Sequence, residues 1–306
     1  MTATTTTDTE PMRVSARREH IPLGIVYMVA ATILFACSSA ASKWLVATYP
    51  FGEVLFLRAF GSLALISLVV LPRAGFAAFR TARLRDHVAR GVSQTVSQSF
   101  LIIAFSLMPL ASATAINFSA PLFATLASIF LFHERVGAAR SLALVVGFCG
   151  VLIVARPGMG TFELGALFAL GNAILYGTVT AAVRGMTVTE STETLTIYQA
   201  LILVAGFALL LPFGLKVPTS IDAFVLLASG VANGIGQFWW TRSLHLAPTS
   251  AVTPFYYFSL VWTLVLGFLV WGDVPTVSLL FGSTIVVASG LTLLWRETRR
   301  RENRAA

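Results

Sequence analysis

Gly24 to Trp44 reads GIVYMVAATILFACSSAASKW and Gly165 to Gly185 reads GALFALGNAILYGTVTAAVRG, so the chain repeats itself without a gap at an offset of 141 residues. Gly24/Gly165, Ile33/Ile174, Leu34/Leu175, Ala40/Ala181 and Ala41/Ala182 are identical, while Tyr27/Phe168, Phe35/Tyr176 and Lys43/Arg184 agree in kind. A second block agrees: Ala111–Val136 meets Thr249–Val274 at an offset of 138, with eight identities in 26 positions, among them Ser112/Ser250, Thr125/Thr263 and Phe130/Phe268. An odd number of membrane spans in each copy makes the second enter from the opposite face. Inverted duplication of this kind is the usual construction of a secondary transporter, with the substrate site near the midplane between the repeats.

The composition demands a membrane. Hydrophobic residues make up 57% of the 306 positions and charged ones 11%, against about 25% charged in soluble domains. Stretches long enough to span, roughly 20 apolar residues each, run over 22–46, 53–71, 88–107, 110–132, 139–155, 163–184, 193–211, 221–246, 249–271 and 276–295. They lack the ~10-residue alternation of barrel strands. The expected fold is an all-α integral membrane protein of ten transmembrane helices, arranged as two inverted five-helix repeats. Little chain remains for a catalytic or nucleotide-binding domain, and no GxxxxGK[ST] loop occurs. Residues 1–21 are expected to be a disordered cytoplasmic tail and 296–306 a basic one.

Charge placement orients the chain. With the N-terminus inside, 17 of the 21 Lys and Arg fall in cytoplasmic segments, Arg156 and Lys216 alone in outer loops, and Lys43 and Arg58 within spans. This satisfies the positive-inside rule with both termini cytoplasmic. The net charge of +8 is therefore topological. The RETRRRENR tail suits anionic lipid rather than nucleic acid.

Polar residues inside the spans suggest a cavity. Gln94 and Gln98 stand four apart on the third span, and Asn233 and Gln237 four apart on the eighth, each 139 residues from its counterpart. Four-residue spacing puts both amides on one helical face. A buried amide costs free energy unless it finds a partner, and symmetry-related pairs fit a cavity wall, with interhelical hydrogen bonding as the alternative. Asn117 precedes Pro121 on the fourth span, Tyr256 and Tyr257 follow Pro254 on the ninth, and Trp240 ends the QFWW of the eighth. A mid-span proline frees a carbonyl. An aromatic wall facing an amide wall suits a planar, partly polar organic solute.

Four basic or acidic groups are candidates for a gate or charge pair: Lys43, Glu53, Arg58 and Arg184. Arg58 is the costliest to place in lipid and should face the interior, with Glu53 its nearest candidate partner. Lys43 and its repeat mate Arg184 belong near opposite membrane faces, where snorkelling is the ordinary outcome. No carboxylate sits mid-span, so coupling through a central acid is not expected. Glu134 and Asp273, each just before the last helix of its repeat, suit helix capping. Metal, cofactor and catalytic sites are not expected: His133 has no second histidine at ligand spacing. Cys37 and Cys149 are expected as small buried side chains, and Gly230-x-x-x-Gly234 as a close helix contact, within the chain or in a homodimer.

The repeats, SKWL at Ser42–Leu45, Arg58, ATAINFSAPLFATLASIFLFHERV at Ala113–Val136 and GFCGVLIV at Gly147–Val154 resemble EamA-type transporters of the drug/metabolite transporter superfamily. The resemblance spans 22–296. It implies EamA repeats at 22–156 and 163–295, cytoplasmic termini, and a cavity lined by helices three, four, eight and nine with help from one and six. It carries no catalytic residue. The second repeat departs from the pattern, with Ser259 opposite Pro121. The style of the chain is closest to a bacterial branch that includes riboflavin importers and S-adenosylmethionine carriers. The expected function is a carrier of a small organic metabolite in the bacterial inner membrane, with a planar heteroaromatic vitamin such as riboflavin first. S-adenosylmethionine, amino acids or drugs are the alternatives, and a membrane-embedded enzyme or channel subunit the reading from another class.

Overall fold

The computed structural model describes residues 20–132, 138–155, 161–186, 190–247, 252 and 255–305. Among these the regular structure is helical, without strands. The helices are α1 (Ile21–Val46), α2 (Phe51–Ala74), α3 (Leu84–Leu107), α4 (Leu110–Asn117), α5 (Ala120–Phe132), α6 (Ala138–Ala155), α7 (Thr161–Met186), α8 (Thr192–Ala208), α9 (Ser220–Leu246), α10 (Phe258–Trp271) and α11 (Val277–Ala305). Four segments, Ile21–Val46, Phe51–Pro72, Glu193–Phe213 and Ser220–Trp240, are each long and apolar enough to cross a membrane, and shorter apolar helices accompany them.

Local chemistry sets the ends. Pro22 sits in the first turn of α1, and Pro50 and Pro109 directly precede α2 and α4, where a missing N–H costs nothing. The Ser191 and Thr219 hydroxyls accept from Thr194 N (3.1 Å) and Asp222 N (3.2 Å), capping α8 and α9. Gly272, at φ +69°, ends α10; the left-handed region favours glycine. Thr276 rather than Asp273 caps α11, accepting from Leu279 N at 3.3 Å. Glu134 lies outside the described residues.

The stretch expected as one span over 110–132 is two helices. Helix α4 stops at Asn117, and α5 restarts at Ala120 with Pro121 in its first turn. Pro121 cannot donate to the carbonyl four residues back. At the break the Ser119 hydroxyl donates to Ile116 O at 2.6 Å. Pro254 lies outside the described residues.

Contacts between the halves hold the bundle together. Helix α1 packs on α9 and α10, α7 packs on α3, α4 and α5, α2 on α8 and α9, α8 on α3, α6 on α11, and α4 on α10. Exchanging each helix of the first half for its counterpart in the second returns the same set of pairs. Closest approach needs glycine: a Cβ on Gly230 of α9 would lie 2.1 Å from Arg58 O, and one on Gly61 of α2 would lie 2.6 Å from Leu227 O. Gly234 faces Ser62 and Leu65 of α2, so the small-residue motif is spent inside the chain.

Polar contacts tie the halves at both ends. At one end Tyr49 Oη donates to Asp222 Oδ2 (2.5 Å) and Lys216 N donates to Glu53 Oε2 (3.0 Å), while within the first half Lys43 Nζ donates to Met108 O (2.7 Å). At the other, Thr81 Oγ1 donates to Glu190 Oε1 (2.8 Å), Tyr198 Oη to Phe79 O (2.9 Å) and Ser243 Oγ to Gly24 O (2.7 Å). Cys37 and Cys149 are exposed on the bundle surface, not buried as expected. Their helix faces point away from the packed core, and a small apolar thiol is compatible with a lipid-facing surface.

Candidate functional site

Between the halves, near mid-length of the helices, lies a cavity of about 180 Å³ lined by residues of α1, α2, α3, α4, α7, α8, α9 and α10. Both amide pairs reach it: Gln94 and Gln98 from α3, Asn233 and Gln237 from α9. Their four-residue spacing keeps each pair on one stripe, and α3 packs on α7 as α9 packs on α1. Asn117 joins them from the last turn of α4. Gln94 is buried, and its Oε1 has no hydrogen-bond partner among the described residues.

Aromatic rings share the lining. Trp240, Tyr256, Tyr176, Phe35 and Phe118 all line the cavity. Tyr256 is wedged edge-on between Phe35 (centroids 6.5 Å) and Phe118 (5.7 Å), which fixes its plane. Tyr257 does not reach the wall. It is buried against Phe118 at 5.0 Å, with its hydroxyl directed at Gly290. One residue along a helix turns a side chain by about 100°, so adjacent tyrosines cannot share a face. Phe238 is exposed and Trp239 packs on Tyr27, so Trp240 alone of the three aromatic residues of QFWW lines the cavity.

The four charged candidates separate. Arg58 lines the cavity, donating to Ser42 Oγ (3.3 Å) and Asn233 Oδ1 (3.4 Å). Glu53 does not pair with it; five residues along a helix points the two apart, and the Glu53 carboxylate accepts from Lys216 N instead. Lys43 lies at the bundle end, over the Trp271 ring at 5.2 Å. The side chain of Arg184 lies outside the described residues. No Asp or Glu is among the residues that line the cavity.

The profile of the EamA-like transporter family matches residues 22–156 and again 163–295. The chain belongs to the EamA-like transporter family. Relatives match over nearly their whole length. The riboflavin transporter of Rhizobium johnstonii is 28% identical over 91% of this chain and 93% of its own. That of Vibrio cholerae is 28% identical over 94% and 99%. The S-adenosylmethionine uptake transporter of Rickettsia prowazekii is 23% identical over 90% and 94%. A crystal structure of a protein 20% identical superposes with a TM-score of 0.63, covering 90% of this chain and 97% of that one, so the two share a fold. This EamA-family member is a secondary transporter, a multi-pass protein of the inner membrane, and not an enzyme.

Sequence reasoning missed several residues of the transporter's cavity. Asn172 of α7 is 3% exposed, donates to Asn117 Oδ1, and accepts from Ser97 Oγ at 2.7 Å. It joins α7 to α3 and α4 beside the site. Its repeat partner is Ala31, so a search for recurrent amides passes over it. Gln199, Thr196 and Leu203 bring α8 into the lining, and Ser62 and Ile66 bring in α2. Gln199 Oε1 accepts from Arg90 Nη2 at 2.5 Å; a lone amide on an apolar helix gives no periodic signal.

Proposed function

We propose that this transporter moves a planar, overall uncharged heteroaromatic metabolite, riboflavin first among candidates, by alternating access of two inverted five-helix repeats at 22–156 and 163–295. In this reading ten helices span the membrane and both termini are cytoplasmic. The arginine-rich tail rests on anionic lipid. Gln94, Gln98, Asn117, Asn233, Gln237, Trp240 and Tyr256 contact substrate.

One observation carries the reading: a cavity between the halves whose lining combines amides and aromatic rings and holds no carboxylate. Amides hydrogen-bond a polar ring edge and aromatic faces stack on it, so both halves of a flavin are recognised. The riboflavin transporters among the relatives support the same choice. At about 180 Å³ the cavity is below the ~300 Å³ at which ligand pockets begin, so the halves separate to load the ring system. The helix pairs that persist when the halves are exchanged supply the two-sided joint this motion needs. The test is growth of a riboflavin-requiring bacterium with this chain as its only carrier, alongside uptake of labelled riboflavin into proteoliposomes. No growth and no uptake by folded protein rejects the flavin assignment.

A further inference from the structure

We infer that Arg58 is the charge-selecting residue of the cavity: it admits uncharged or anionic substrates that present a carboxylate or paired ring carbonyls and rejects those of net positive charge. The inference rests on the carrier reading above and adds a substrate class to it. Arg58 stands well inside α2, within a segment apolar and long enough to cross a membrane, where a cation is retained only for a function or a partner. Among the described residues it has no anionic partner. Its two hydrogen bonds go to neutral oxygens, Ser42 Oγ at 3.3 Å and Asn233 Oδ1 at 3.4 Å, well beyond the ~2.8 Å of a charge-assisted bond.

The guanidinium has five N–H donors in a planar fork, so donors remain for a ligand. Its backbone is fixed, because Arg58 O lies where a Cβ on Gly230 would fall at 2.1 Å, leaving α2 and α9 no slack. Asn233, three residues further along α9, holds the guanidinium from the facing helix. The fork therefore springs from a rigid base on the cavity wall. Arg90 of α3 is held to α8 through Gln199 Oε1 and Leu195 O.

A cationic ligand about 6 Å from the guanidinium loses about a hundredfold in affinity at an effective dielectric of ~20. An anionic ligand gains from the same field. A planar edge with two carbonyl oxygens, such as the imide edge of a flavin, takes the fork bidentately, which a lysine cannot reproduce. S-adenosylmethionine carries a sulfonium and an ammonium against one carboxylate, so its net positive charge meets repulsion that the carboxylate offsets only in part. Arg58 thus separates the two substrate types named among the relatives.

The experiment measures ligand-induced thermal stabilisation of purified wild type, Arg58→Gln and Arg58→Lys, with four probes: riboflavin, orotate, thiamine and S-adenosylmethionine. Wild type should be stabilised by riboflavin or orotate and at least tenfold more weakly by the two cations. Arg58→Gln should weaken the favoured ligand tenfold or more and tighten thiamine. Arg58→Lys retains the charge, so it should still reject thiamine while losing about fivefold for the planar ligands; it decides the matter if Arg58→Gln does not fold. Orotate binding without riboflavin binding rejects the flavin assignment and keeps the charge selection. Equal binding of cations by wild type, an unchanged preference in the variants, or no binding of either riboflavin or orotate overturns the inference.

Discussion

Alanine at Gly230 would place a methyl carbon 2.1 Å from the carbonyl oxygen of Arg58 and 2.9 Å from its carbonyl carbon. Carbon–oxygen contacts settle near ~3.3 Å, so α2 and α9 must part by about 1 Å. The methyl has no rotamer to change and the atoms it meets are backbone, so no side-chain rotation relieves it. Overpacking costs about 1–3 kcal/mol, and the upper end applies here. The helix-propensity gain of alanine over glycine, about 1 kcal/mol, offsets part, leaving a loss near 2 kcal/mol, or ~30-fold in the folding equilibrium. Gly267 of α10 provides the contrast: a Cβ there meets Asp273 Cβ at 3.7 Å, ordinary contact, so Gly267→Ala keeps the propensity gain. Reversible unfolding in mixed micelles with rising SDS fraction, followed by far-ultraviolet circular dichroism, measures both variants. Transport per folded protein in proteoliposomes should fall for Gly230→Ala, because Arg58 and Asn233 flank the displaced contact. Equal stability of the two variants, with wild-type transport by Gly230→Ala, refutes the close-approach argument.

Gln98→Ala or Gln237→Ala should each weaken transport with membrane abundance near normal, since a lost substrate contact costs about 1–3 kcal/mol; normal transport by both variants, or failure of both to fold, assigns the amides to helix packing. Tyr257→Phe should leave transport unchanged and stability equal or higher by up to about 1 kcal/mol, because the hydroxyl is buried without a partner among the described residues; a tenfold loss of uptake would place that hydroxyl on the substrate. Cysteines at Thr6 and Asn303 should resist a membrane-impermeant thiol reagent in intact cells while one at Gly160 reacts, and labelling at either terminus reverses the orientation.

The sequence by itself determined the features that repeat with a period or a fixed offset. Duplication at 141 residues, apolar runs of spanning length, and the amide pairs Gln94/Gln98 and Asn233/Gln237 are all local or translational patterns. A helix converts four-residue spacing into a shared face whatever surrounds it. Only the tertiary structure decided what each face meets. The Glu53–Arg58 spacing suggested a pair, but the helix turns the two apart and Lys216 N, 163 positions away, takes the carboxylate. Tyr256 and Tyr257 are neighbours in the chain, yet only Tyr256 reaches the cavity, while Tyr257 is buried against Phe118. Asn172 finds Asn117 and Ser97 across three helices, a meeting no single segment encodes. In an apolar bundle every helix offers lipid-compatible surface on most of its circumference. The rotation of each helix is therefore set by backbone approach at glycines and by a few interhelical hydrogen bonds, and these exist only once the halves are packed.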